Sequence, residues 1–387
     1  MLSKEVYIEL GKKIKEIDSS VEFIKNELLT TYGVDEAKAV IDYLEKNKDC
    51  SRTDYLLMRV DLHNSIKAYR SQSGIMGLVV GDALGVPVEF TSRAERDADP
   101  VTGMRAYGTH SQPAGTWSDD SSMVLATMEW YDELEEWPED YKPLMDKFCA
   151  WLMHGEYTPY GTNFDNGITV SRALMNYARG TDPVESGEKT ENSNGNGSLM
   201  RILPTALFHT TDLAFEHIHY PEKIYEMSSL THAHARSKLG CLIYSKIIAD
   251  IIHKPDEDKK DVVKYSLEVL ERYLSEEEND KAIVAEHDAY NRLWDVESLI
   301  RIPRSDIKSS GYVVDTLEAA IWCFLTTDSY KECVLKAVNL GDDTDTVGAV
   351  AGGLAGYYYG IDNIPSEWID IIPKKDWILD LASRMHN

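Results

Sequence analysis

The 387-residue chain carries 66 acidic against 40 basic residues, a formal charge of −26, and is 43% hydrophobic and 27% charged. That balance suits a globular protein with a large core, and so negative a surface excludes nucleic acid and anionic membrane as partners. No apolar stretch reaches the roughly 20 residues that span a bilayer, and the opening MLSKEVYIELGKKIKEID is too charged for a signal peptide, so a cytoplasmic location is expected.

Residues 1–70 read as three or four helices. Val6, Ile8, Leu10, Ile14 and Ile17 recur at roughly helical spacing, as do Val21, Phe23, Ile24, Leu28 and Leu29. Gly33 interrupts, VDEAKAVIDYLEKN resumes with acids in its first turn, and DYLLMRVDLHNSIKAYR gives a fourth pattern. Residues 1–72 hold 12 basic and 13 acidic residues, so nearly all of the excess acid belongs to the rest of the chain. No chemical motif lies in this stretch. It is expected to form a helical N-terminal extension over 1–70, available for a protein partner, ahead of a main domain over 71–387.

From Gly74 onward the texture changes. GIMGLVVGDALGVPVEF is rich in small residues, and helical patterns follow in MVLATMEWYDELEE, YKPLMDKFCAWLMH and ITVSRALMNYA. The turn-rich RGTDPVESGEKTENSNGNGS interrupts before LMRILPTALF, and the charged but periodic VVKYSLEVLERYL reads as a solvated helix. Strand alternation is nowhere sustained, so the fold class is all-α. Cys50, Cys149, Cys241, Cys323 and Cys333 are scattered without CxxC spacing and read as free thiols.

The informative residues are Ser118-Asp119-Asp120 and Asp342-Asp343-Thr344-Asp345-Thr346, each directly before a helix-like run. Asp, Ser and Thr cap helix starts, but a cap needs one such residue. Packing several carboxylates side by side raises their pKa values and costs stability unless cations neutralise them. Asp119, Asp120, Asp343 and Asp345 supply four negative charges, enough for two divalent ions, and Ser118 and Thr346 add neutral oxygens. The helix behind the second cluster, GAVAGGLAG, has small residues that let another helix approach closely. DTDTV also fits the DxDx(T/V) of aspartate-nucleophile phosphatases, yet it stands near the C-terminus of a helical chain and not at the end of an apolar strand. An EF-hand loop counted from Asp343 reaches Leu354 where an acidic ligand is required. His232 and His234 form an HxH that, on a helix, points two imidazoles to different faces, which argues against zinc.

In order along the chain, GLVVGDALGVPVEF, GTWSDDSSM, FDNGITVSRAL, NGSLMRILP, LTHAHARS and LGDDTDTVGAVAGGLAGYYYG resemble the successive motifs of the ADP-ribosylglycohydrolases, over about residues 71–375. The resemblance implies an orthogonal bundle of α-helices with a two-magnesium (or manganese) centre and an enzyme that removes ADP-ribose from modified proteins, arginine-linked first. It implies metal contacts from Ser118, Asp119, Asp120, Asp343, Asp345 and Thr346, with Thr344 between ligands and Asp342 where Gly is common. Glu89 and Asp165 match acidic residues at the metal site and the substrate border, and share the acid–base roles with Asp119 and Asp120. Asn196, Gly197, Ser198 and Met200 match a loop against ADP-ribose, a loop taken to open a helix, and His232 a further substrate contact. The alternative is an immunity protein that occludes an ADP-ribosyltransferase toxin through residues 1–70.

Overall fold

The structure, a computed structural model, describes residues 52–134, 140–213, 218, 221–254, 257–276 and 280–384. Among these residues the regular structure is helical throughout, and strand-type pairing is confined to isolated bridges such as Gly195 with Tyr312. The helices that position the site are α1 (Arg52–Gly85), α2 (Asp119–Asp132), α3 (Ile168–Ala178), α4 (Ala235–His253), α5 (Lys259–Leu274), α6 (Val313–Leu325), α7 (Tyr330–Val338), α8 (Thr344–Tyr359) and α9 (Lys375–Arg384). None of the described helices is long and apolar enough to cross a membrane. Cys149, Cys241, Cys323 and Cys333 are buried free thiols.

The helices expected before residue 52, and with them most of the proposed partner-binding extension, lie outside the described residues. The pattern in DYLLMRVDLHNSIKAYR belongs to α1, which runs unbroken through position 70 to Gly85. The change of texture near Gly74 is therefore a change in burial within one helix, from half-buried residues at 67–70 to fully buried ones from Ser71 onward. Ile75, Leu78, Val79, Val80 and Leu84 are apolar on every side of α1, as a helix enclosed by others requires.

What encloses it most closely is α8. Gly77, Gly81 and Gly85 recur every four residues on α1, and Gly348, Gly352 and Gly356 do so on α8. A Cβ at Gly81 would overlap the carbonyl of Gly348, and one at Gly352 would overlap that of Gly77, so the two backbones touch. At the end of this seam the Thr344 hydroxyl donates to the Gly85 carbonyl at 2.8 Å, so the first turn of α8 caps the last turn of α1. α6 and α7 pack on α8, α9 bridges α1 and α2, and α4 packs against α5 and α6.

Two local expectations need correction. The NGNGS loop does not open a helix: turns occupy residues 197–201, and the next helix is Leu203–Phe208, started by Pro204 in its first turn. His232 and His234 do not sit on one helix either. His234 is the extended N-cap of α4 and accepts the Arg236 N–H at 3.1 Å, which leaves His232 in the turn before it.

Candidate active site

The start of α2 is held from below by a residue the sequence analysis passed over. Asp82, fully buried on α1, accepts the backbone N–H groups of Ser118 at 3.0 Å and Ser121 at 3.1 Å and the Ser121 hydroxyl at 2.6 Å. A carboxylate at a helix N-terminus meets the positive end of the dipole and unpaired N–H donors. Even so, burial pushes its carboxyl up to about 6. Above this clamp Ser118 caps α2, and its hydroxyl donates to Asp120 Oδ2 at 2.9 Å. Asp119 and Asp120 form the first turn.

The second acidic motif enters from α8. Asp343 is its N-cap, tied by its own N–H to the Ser309 carbonyl at 3.0 Å. Asn196 donates to Asp343 Oδ2 at 2.8 Å and to the Thr316 hydroxyl at 2.8 Å, so Thr316 is a second residue that sequence reasoning missed. Thr346 donates to Asp120 Oδ2 at 3.3 Å, and this bond joins the two motifs. Carboxylate oxygens of Asp82, Asp120 and Asp345 lie within 4.8 Å of one another, and so do those of Glu89, Asp343 and Asp345.

Asp120 Oδ1 and Asp345 Oδ2 are buried with no hydrogen-bond partner among the described residues. Burial first, then surrounding carboxylates, hold both carboxyls well above the usual range; Asp82, Asp119 and Asp343 surround Asp120, and Glu89, Asp120 and Asp343 surround Asp345. Converging hard oxygens with unused lone pairs and no counter-charge are the donor set of a hard divalent cation. Asp82, whose two oxygens are already engaged, acts as the support for that set.

Glu89 follows the short 3-10 turn Val86–Val88 and is 5% exposed. His110 Nε2 bonds Glu89 Oε2, and the Thr109 hydroxyl donates to the Glu89 carbonyl at 2.7 Å. Burial pushes Glu89 up to about 7, Asp165 and Asp343 add to this, and the His110 bond opposes it. The same bond raises the His110 imidazole. His110, also missed in the sequence, ends the short 3-10 turn Gly108–His110, where Tyr107, Gly108 and Ser111 adopt left-handed backbone and no periodicity advertises it.

Glu89, Asp119, Asp165, Asp343 and Thr346 line one cleft of about 330 Å³, with Asn196, Gly197, Met200 and His232 on its wall. The His232 ring lies against Gly197, where a Cβ would come within 2.8 Å of its Cε1. His232 Nδ1 pairs with the Thr231 hydroxyl at 3.0 Å, and burial, helped by Arg201, drives the imidazole down to about 3, so it is neutral. Ser198 does not line the cleft; it is fully buried and accepts the Ser228 hydroxyl at 2.9 Å. Asp342 is exposed, with φ 60, a left-handed conformation that accounts for glycine being common there in the family it resembles.

The helical bundle converges buried carboxylates from two helix starts onto a cleft, where they could hold a metal ion. Residues 64–387 match the ADP-ribosylglycohydrolase family, and the chain belongs to it as a glycohydrolase. It is 30% identical to the ADP-ribosylarginine hydrolase Tri1 of Pseudomonas putida (strain GB-1), over 82% of this chain and 77% of that one. It is 27% identical to the ADP-ribosyl-[dinitrogen reductase] glycohydrolase of Rhodospirillum rubrum, over 79% and 91%. Among solved structures, an ADP-ribosylglycohydrolase-related protein complex superposes with a TM-score of 0.64 at 28% identity, covering 83% of this chain and 98% of that one.

Proposed function

We propose that this chain removes ADP-ribose from modified arginine side chains of proteins, with two magnesium ions held by Ser118, Asp119, Asp120, Asp343, Asp345 and Thr346. The observation that carries the reading is the pair of orphaned, buried carboxylate oxygens on Asp120 and Asp345. Bound there, the two ions would neutralise the aspartates and supply Lewis acidity toward sugar hydroxyls.

The chain's own residues do the rest. Asn196, Gly197, Met200 and His232 hold the nucleotide against the wall; the neutral, rigidly packed imidazole can bond to it without repelling a cation. The bond to the anomeric carbon breaks through an oxocarbenium-like state, which the surrounding carboxylates stabilise. Asp119, which lines the cleft while Asp120 is tied to Ser118 and Thr346, takes the proton from the attacking water. The water oxygen joins the anomeric carbon, the carbon–nitrogen bond breaks, and Glu89 or Asp165 returns a proton to the departing guanidine. A mouth bearing two carboxylates favours a cationic leaving group over a neutral hydroxyl.

The test is incubation with arginine-ADP-ribosylated and serine-ADP-ribosylated protein, with and without EDTA, while free ADP-ribose is measured. Release from the arginine conjugate that stops on chelation is expected. Release from serine alone, or release indifferent to EDTA, contradicts the reading.

A further inference from the structure

At the mouth of the cleft, Phe90 is 69% exposed, and its backbone stands at φ 61, a region bulky residues seldom enter. The conformation is locked. Phe90 N donates to the Asp342 carbonyl at 2.7 Å, and Asp342, itself left-handed, donates to the Thr91 carbonyl at 2.8 Å. An exposed ring on a strained backbone buries almost nothing, so packing does not explain it; strain of this kind gathers where position serves a ligand.

The surroundings indicate which ligand. The Phe90 ring lies 6.0 Å from His110, and His110 lies 5.3 Å from Phe164. Carboxylates stand among these rings: Glu89 bonds His110, and Asp165 lies within 4.8 Å of both. An aromatic face beside a carboxylate acceptor, Asp165 where Glu89 supplies the proton, suits a planar, delocalised cation, which stacks on the ring and donates its N–H groups to the oxygens. A serine hydroxyl could donate to a carboxylate but would leave the aromatic face unused. The geometry points to a leaving-group subsite, built from Phe90 and Asp165, that selects the guanidinium of the modified arginine; it rests on the reading of the cleft as the site of ADP-ribose release.

Wild type, Phe90→Ala, Phe90→Leu and Phe90→Trp, all loaded with magnesium, separate this subsite from the rest. Kinetics on ADP-ribosyl-arginine and calorimetry with free ADP-ribose, which lacks the guanidine, are the two readouts. Alanine, and leucine with bulk but no π face, are expected to raise KM about tenfold, while tryptophan stays within about twofold of wild type. All four should bind ADP-ribose equally. Unchanged KM in the alanine and leucine variants of an active enzyme overturns the subsite alone. So does an equal loss of ADP-ribose affinity, which would assign the ring to the nucleotide. A wild type that leaves ADP-ribosyl-arginine intact but cleaves a serine conjugate overturns the arginine reading and the subsite together.

Discussion

On α4, Lys246 and Asp250 are each no more than 1% exposed and face each other one helical turn apart, whereas Asp120 and Asp345, equally buried, are surrounded by other carboxylates. In the first group the counter-charge comes from within the chain. Lys246 pairs with Asp250, which also accepts the Ser266 hydroxyl at 2.7 Å, so attraction between neighbours offsets the loss of hydration. The second group has no such counter-charge among the described residues and is placed so that it could hold a metal ion. Glu89 falls between the two, with His110 bonded to its carboxyl group. A fold tolerates buried acids in either manner, but only the uncompensated kind prepares a binding site.

Making the first region like the second has the largest expected effect. Lys246→Met strands Asp250 in the core and should lower the unfolding free energy by about 3–5 kcal/mol in denaturant titrations, with activity per folded molecule retained. Adding Asp250→Leu should recover most of that loss, because a matched apolar pair leaves no buried charge. A cost below about 1 kcal/mol for Lys246→Met would mean that this pair is not what neutralises the core.

Removing His110 from the site has a smaller expected effect. His110→Ala frees Glu89 from its fixed position and should reduce kcat about tenfold, near 1.4 kcal/mol, with KM and metal affinity unchanged. His110→Gln, which retains a donor, should restore part of the rate. A raised KM at constant kcat would place His110 in substrate binding instead.

The sequence discloses the two acidic motifs because each puts aspartates behind a capping residue at the head of a helix, a local signal that the fold preserves. GAVAGGLAG likewise announces a close helix contact, and the contact is with α1. Asp82 is not legible in this way. Locally it is one charged residue in GIMGLVVGDALG, and it joins the site only because the glycine seam sets the end of α1 against the start of α8. His110 and Thr316 belong to the site through tertiary contacts alone, which no spacing encodes. The break in texture near Gly74 misleads for a related reason: composition reports burial, and α1 passes from half-buried to buried without ending.

Whether the acidic cluster is unfinished without divalent cations is decided by magnesium titration of chelator-stripped protein, read by calorimetry and thermal melting on wild type, Asp120→Asn and Asp345→Asn. Wild type should bind two ions and melt higher as they bind. Without metal, each asparagine variant should be more stable than wild type by about 1–3 kcal/mol, since a buried charge is gone, and should gain little from magnesium. Absence of binding by wild type, or asparagine variants that melt below it in EDTA, would contradict the account.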